Sequence, residues 1–173
     1  MSRIELKKEE LASPEFQEYF RSVRARGLTV LNLYKMMAHT PVIGLEFLRL
    51  GSAILFNGVI PPTLRELAIL RVGILNKANY EYTQHVKVAL MVGVRQEQID
   101  ALANWEVSSK FSDIERAVLR FTDEETLNVR VSDETFAAVG SFFDDQGIVE
   151  LTTIISYYGM VCRNLEVLKV ELE

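Results

Sequence analysis

The sequence predicts an all-α protein, and three observations carry that expectation. Apolar residues recur at helical spacing through nearly the whole chain, most densely at Leu64, Leu67, Ile69, Leu70, Val72 and Ile74. Glycine and proline fall between these stretches and punctuate them instead of forming strand turns. No run alternates with period two, and Val129 to Ser132 is too short for a strand. With 173 residues, 49% hydrophobic and 25% charged, the chain has the balance of a single globular domain with one sizeable core.

Each element has its own start and stop signals. Ser13-Pro14 opens a first helix running to about Arg26, with Gly27 as its stop. Leu31 to Ala38 forms a short second segment with Leu33, Met36 and Met37 inward. Thr40-Pro41 begins a third helix, ended by Asn57-Gly58. After Pro61-Pro62, Thr63 caps a fourth helix. Asn76 to Asn79 breaks the pattern, and a fifth helix holds Tyr80 to Val92 before Gly93. Val94 to Asn104 reads as a sixth. The S-x-x-E capping box Ser112 to Glu115 opens a seventh, running to about Thr126. Ser132 caps an eighth that ends near Phe143, and a ninth covers roughly Ile148 to Val167. Met36, Met37, Phe47, Phe56, Phe136 and Phe142 fall at core spacings, and Trp105 after a helix end is placed to shield an interface.

The composition excludes several function classes. A net charge of −5 and a pI near 5.2, with no Lys/Arg cluster, argue against a nucleic-acid or anionic-membrane surface. The opening MSRIELKKEE lacks the apolar region of a signal peptide. The longest uncharged apolar run, Leu50 to Leu64, is broken by Gly51, Asn57, Gly58, Pro61 and Pro62, so it does not span a bilayer. The single Cys162 allows neither an intramolecular disulfide nor a cysteine-rich zinc site. It lies among Met160, Val161 and Leu165, as a buried, inert thiol does. A cytoplasmic protein is the expectation. No Gly-rich phosphate loop, G-x-S-x-G elbow or Walker sequence is present, so no cofactor is called for.

Within Pro61 to His85, two carboxylates and one of only two histidines stand in a largely apolar background. Glu81 and His85 are four apart and share a helical stripe with Ala78, Tyr82, Val88 and Ala89, while Lys87 lies roughly opposite. A carboxylate beside an imidazole on an apolar face is a kit for moving protons near neutral pH. A plain surface pair is the bland alternative. Glu66 has two readings. It completes a T-x-x-E capping box with Thr63, or it is a carboxylate at the edge of a core and suited to acid–base work. Arg65 is expected outside the buried face. Glu66, Glu81 and His85 can in principle supply three metal ligands, but the pattern is not H-E-x-x-H, and the favoured expectation is no metal. His39 reads as a residue at a helix start. Tyr80, Tyr82 and Arg163 are second-rank candidates for substrate contact, and pairing with an acidic neighbour is the favoured reading of Arg163.

At these residues the chain resembles the carboxymuconolactone decarboxylase family, which includes the AhpD-type alkylhydroperoxidases. The likeness rests on LRELAILRV (64–72), YEYTQHV (80–86), VGVRQEQIDAL (92–102), FSDIERAVLRF (111–121) and ELTTIISYYGMVCR (150–163). It implies an AhpD-like helical fold of about eight or nine helices that assembles into dimers, trimers or hexamers. It also implies a family core over 61–173, with residues 1–60 as a helical extension packed on it, a single structural domain overall. The peroxidase branch carries a glutamate, a C-x-x-C and a histidine at fixed spacing. Those positions fall on Glu66, on Ala78 and Glu81, and on His85. The proton-relay ends are kept while both redox sulfurs are gone, which speaks against peroxide reduction.

The resemblance therefore implies the decarboxylase-type branch, acting on a small lactone or keto acid by proton transfer. His85 would be the acid or electrophile, and Glu66 or Glu81 its orienting partner and base. An AhpD-type alkylhydroperoxidase and a non-catalytic small-molecule-binding homologue are the other readings.

Overall fold

The computed structural model describes residues 1–173. All regular structure is helical: nine α-helices, a short 3₁₀ turn at Glu9–Leu11 and a second 3₁₀ segment at Leu102–Val107. The chain divides into two compact units, one of residues 1–57 with 165–173 and one of residues 58–164.

The first unit holds α1 (Pro14–Ala25), α2 (Asn32–Met37) and α3 (Pro41–Asn57). Ser13 accepts the backbone N–H of Phe16, and Pro14 occupies the first helical position, so α1 starts where its sequence signal lies. Phe16, Phe20 and Val23 form its buried face. Gly44 is required where α3 meets the end of α2. A Cβ there would stand 2.2 Å from the Met37 carbonyl oxygen, closer than any side chain tolerates.

The second unit is built around α4 (Pro62–Leu75). It packs against α5 (Asn79–Val92), the Leu102–Val107 segment and α7 (Asp113–Asn128). Residues 64–70 of α4 are buried without interruption. A helix buried on every side needs no polar face, so its apolar run is continuous rather than striped. α6 (Gln96–Ala101) and α8 (Asp133–Gly140) complete this unit with α9 (Asp145–Leu168), whose last residues belong to the first. Leu67, Leu70, Ala89, Ile99, Leu102, Trp105 and Leu119 make one core cluster. Asp123 fastens it from the rim, bonding Arg71 at 2.5 and 2.9 Å and accepting the Trp105 indole N–H at 3.0 Å.

Several sequence expectations change in detail. α4 begins at Pro62 with Pro61 before it, so Thr63 is not its cap. The expected sixth helix is α-helical only to Ala101 and continues as the 3₁₀ segment, which is itself broken at Asn104, whose φ of −122° is non-helical. Trp105 is 2% exposed inside its own unit's core rather than at a surface. Phe56, Phe136 and Phe142 are exposed, because helical spacing gives a stripe without saying which stripe finds a partner. Met36, Met37 and Phe47 are buried as expected. The Ser112–Glu115 capping box forms in full, with the Ser112 N–H 2.7 Å from Glu115 Oε2.

Candidate functional site

The turn at Asn76–Ala78 reverses the chain between α4 and α5. It is closed by the Asn76 N–H on Val72 O and the Ala78 N–H on Gly73 O. Lys77 takes a positive φ of 54° there. Glu66 lies before this turn on α4 and His85 after it on α5, and the packing of the two helices brings them together. Gly73 lies against Tyr82 of α5, where a Cβ on it would make an ordinary contact at 3.5 Å.

The result is a buried ionic chain. His85 Nδ1 lies 2.7 Å from Glu66 Oε2, and Nε2 lies 3.0 Å from Glu81 Oε1. Arg65 Nε donates to the other Glu66 oxygen at 3.0 Å. All four residues are buried, Glu66 completely. The ring of Tyr158, from α9, stands edge-on to the imidazole with centroids 4.9 Å apart, and Tyr157 packs on Tyr158 in the same manner at 5.2 Å.

Burial alone would push the His85 pKa down. The negative charges of Glu81 and Glu66, with their hydrogen bonds, outweigh it and raise the value from 6.5 to about 9. At neutral pH both ring nitrogens therefore donate. Burial, reinforced by the same carboxylates, raises the Tyr158 phenol well above its ordinary value, so it stays protonated.

The three residues singled out from sequence as catalytic candidates thus converge. Glu66 does not act as a cap: its two oxygens hold Arg65 and His85. The two carboxylates sit on opposite nitrogens of one ring, so they do not face a common point at which a metal would meet all three. Arg65 corrects an expectation, being 6% exposed and part of the chain of charges. The signal was present, since Arg65 lies inside a run whose continuous apolar character marks a central helix. From sequence Tyr157 and Tyr158 read mainly as packing residues of the last helix, because nothing in sequence tells which face of α9 meets α5.

The remaining candidates fall elsewhere or stay at the edge. Tyr80 is buried in the first turn of α5, beside Glu81. Tyr82 packs against the Leu67–Trp105 core cluster, and burial followed by the nearby Asp100 charge raises its pKa. Arg163 is exposed and lines a separate cavity on α9 that includes none of Glu66, Glu81 and His85. His39 bonds the Glu5 carbonyl through Nε2 at 2.8 Å.

Residues 44–124 match the model of the carboxymuconolactone decarboxylase family. Through this segment, just under half of the chain, the protein resembles that family. The chain is 30% identical over 96 residues to the uncharacterized protein YdfG of Bacillus subtilis (strain 168). That match covers 54% of the chain and 65% of YdfG, just under two thirds of that relative's length.

Two solved structures show the same fold at low identity. One is an uncharacterized peroxidase-related protein from Ralstonia eutropha JMP134, described as an alkylhydroperoxidase AhpD core. Its TM-score is 0.88 at 18% identity, covering 99% of this chain and 92% of that one. The other is the debrominase Bmp8, at 0.78 and 19%, covering 92% and 87%. A further Bmp8 structure, a cysteine-to-alanine variant in complex with 2,3,4-tribromopyrrole, gives 0.79 at 20%.

Within this fold the one thiol is out of reach of solvent. Cys162 is 0% exposed and unbridged. A thiol-specific chromogenic reagent is expected to find no reactive thiol in the native protein and one after denaturation. Rapid labelling of the native protein would contradict this and revive a redox role.

Proposed function

We propose that this protein is a proton-transfer enzyme working on a small lactone or keto acid without a bound cofactor, by decarboxylation or double-bond migration. The observation that supports it most is the buried imidazole held on both nitrogens by Glu66 and Glu81, at a site with no thiol. Glu66, fully buried and tied to Arg65, is the orienting partner. It fixes the ring and keeps it charged. Glu81 is the base that exchanges a proton with substrate, and His85 is the acid that returns it.

In a decarboxylation the bond to the carboxylate carbon breaks, CO2 leaves, and the electron pair passes into the conjugated carbonyl as an enolate. A proton from His85, relayed through Glu81, then closes the reaction at the far carbon. Tyr80, beside Glu81, is the substrate-contact candidate of this reading. Assembly into homo-oligomers belongs to the same proposal, and the exposed Val42, Ile43, Phe56 and Met91 offer apolar surface for it.

The test is a panel of small lactones and keto acids incubated in D2O and followed by NMR for CO2 loss and deuterium uptake. His85→Ala and Glu81→Gln should each lower turnover by about 10²–10⁴-fold while keeping the helical circular dichroism signal. Equal turnover by wild type and both variants would show the assignment to be wrong. No exchange with any member of the panel would put the non-catalytic reading in its place.

A further inference from the structure

The second unit contains a cavity of about 490 Å³ between the end of α7, the segment that follows it, α8 and α9. That volume suits a small organic molecule. Phe121, Val131, Phe136 and Ile155 supply apolar wall, and Glu125, Arg130 and Arg163 supply charge.

Three independent features mark it as more than a surface dent. Glu125 has one carboxyl oxygen satisfied by the Ser156 hydroxyl at 2.7 Å, while Oε2 is buried with no partner. The hydroxyl of the adjacent Thr126 is likewise buried and unpartnered. Buried polar atoms are normally paired, so two orphans lining one cavity point to a missing partner. Val129 ends α7 at φ +60°, a left-handed conformation that a β-branched residue adopts only under strain. Lastly, neither Arg130 nor Arg163 has a carboxylate within ion-pair distance. The Arg163 guanidinium folds back over Gly159, where a Cβ would come within 3.0 Å of its nitrogen.

The cavity is separate from the histidine site. Thr152, Ser156, Gly159 and Arg163 make one stripe of α9, whereas Tyr158, which contacts His85, points roughly 120° away around the helix.

We propose that this cavity is a second small-molecule site that binds an apolar monocarboxylate. The two guanidiniums take the anion, the aromatic and aliphatic wall takes its body, and the Glu125 acid proton on Oε2 is donated to a ligand oxygen. A phosphate fits less well, because a second negative charge would face Glu125 at close range.

Burial holds the Glu125 carboxyl up at about 7, against the lowering effect of the Ser156 hydroxyl. It is therefore largely neutral below that pH and accepts an anionic neighbour. The charged groups lining the cavity with it are Arg130, on the segment after α7, and Arg163, on α9. Ionised Glu125 repels the ligand, so affinity falls as pH rises.

The test is calorimetric titration of the full-length protein with benzoate and with phenylacetate, both ionised throughout pH 6–8. Saturable binding is expected, weakening roughly tenfold from pH 6 to pH 8 as Glu125 loses its proton. Arg163→Ala should remove it. Glu125→Gln should keep it and abolish the pH dependence. Gly159→Ala should weaken it while raising the melting temperature, since alanine favours the helix. His85→Ala should leave it unchanged, which separates this site from the proton-transfer reading. No saturable binding of either acid, binding that survives Arg163→Ala, or binding lost with His85→Ala would each overturn the proposal.

Discussion

Replacing Glu66 by alanine is expected to lower the unfolding free energy by about 3–5 kcal/mol, the range for breaking a buried ion pair from one side. Glu66 is fully buried and is the shared partner of Arg65 and His85. Its removal leaves a guanidinium and an imidazolium in the core with Glu81 as the one carboxylate shown bonding the ring. At this chain length each kcal/mol moves the melting temperature by about 2–4 °C, so a fall of around 10 °C is anticipated. Glu66→Gln keeps the shape and one acceptor and should fall between wild type and alanine. Urea unfolding followed by circular dichroism measures both. A change within about 1 kcal/mol for Glu66→Ala would mean that the chain of charges is not formed as described.

The protein should also lose stability on the alkaline side in a way that depends on one residue. The folded pKa of His85 is raised from 6.5 to about 9. The folded state therefore binds the ring proton more tightly than the unfolded state does. That contribution is fully present below pH 6.5 and is lost as pH rises to about 9, amounting to roughly 3 kcal/mol.

Glu125 acts in a different window. Its raised pKa weakens the fold mainly between about 4.5 and 7, so it does not mimic the effect. Urea midpoints from pH 6 to pH 10 should slope downward in wild type above 6.5 and be nearly flat over that interval in His85→Gln. Matching slopes in the two proteins would show that the imidazole is not held charged by its neighbours.

Much of the fold was legible because its signals are local. Ser13-Pro14, the Ser112–Glu115 box and Ser132 each satisfy backbone groups within their own first turn, and each helix starts where the signal stands. Gly93 ends α5 with a positive φ of 102°, a conformation open to glycine from sequence alone. The pairing of Glu81 with His85 was readable for the same reason, since four residues is one helical turn.

What sequence left open depended on which faces meet. Thr63-Leu64-Arg65-Glu66 has the letters of a capping box, yet α4 starts at Pro62 and its neighbours claim the Glu66 carboxylate. Arg65 looked like a solvent residue because a guanidinium usually is one. It is buried because α4 is surrounded and Glu66 is there to neutralise it.

The sequence by itself determined the all-helical class, most helix starts, and a glutamate–histidine pair on an apolar face with no cysteine beside it. Only the tertiary structure decided that Glu66, Arg65 and Tyr158 join that pair and that Arg163 faces another cavity. The reason is physical. Helix periodicity fixes which residues share a face, whereas the burial and charge that set a side chain's chemistry come from segments distant in the chain.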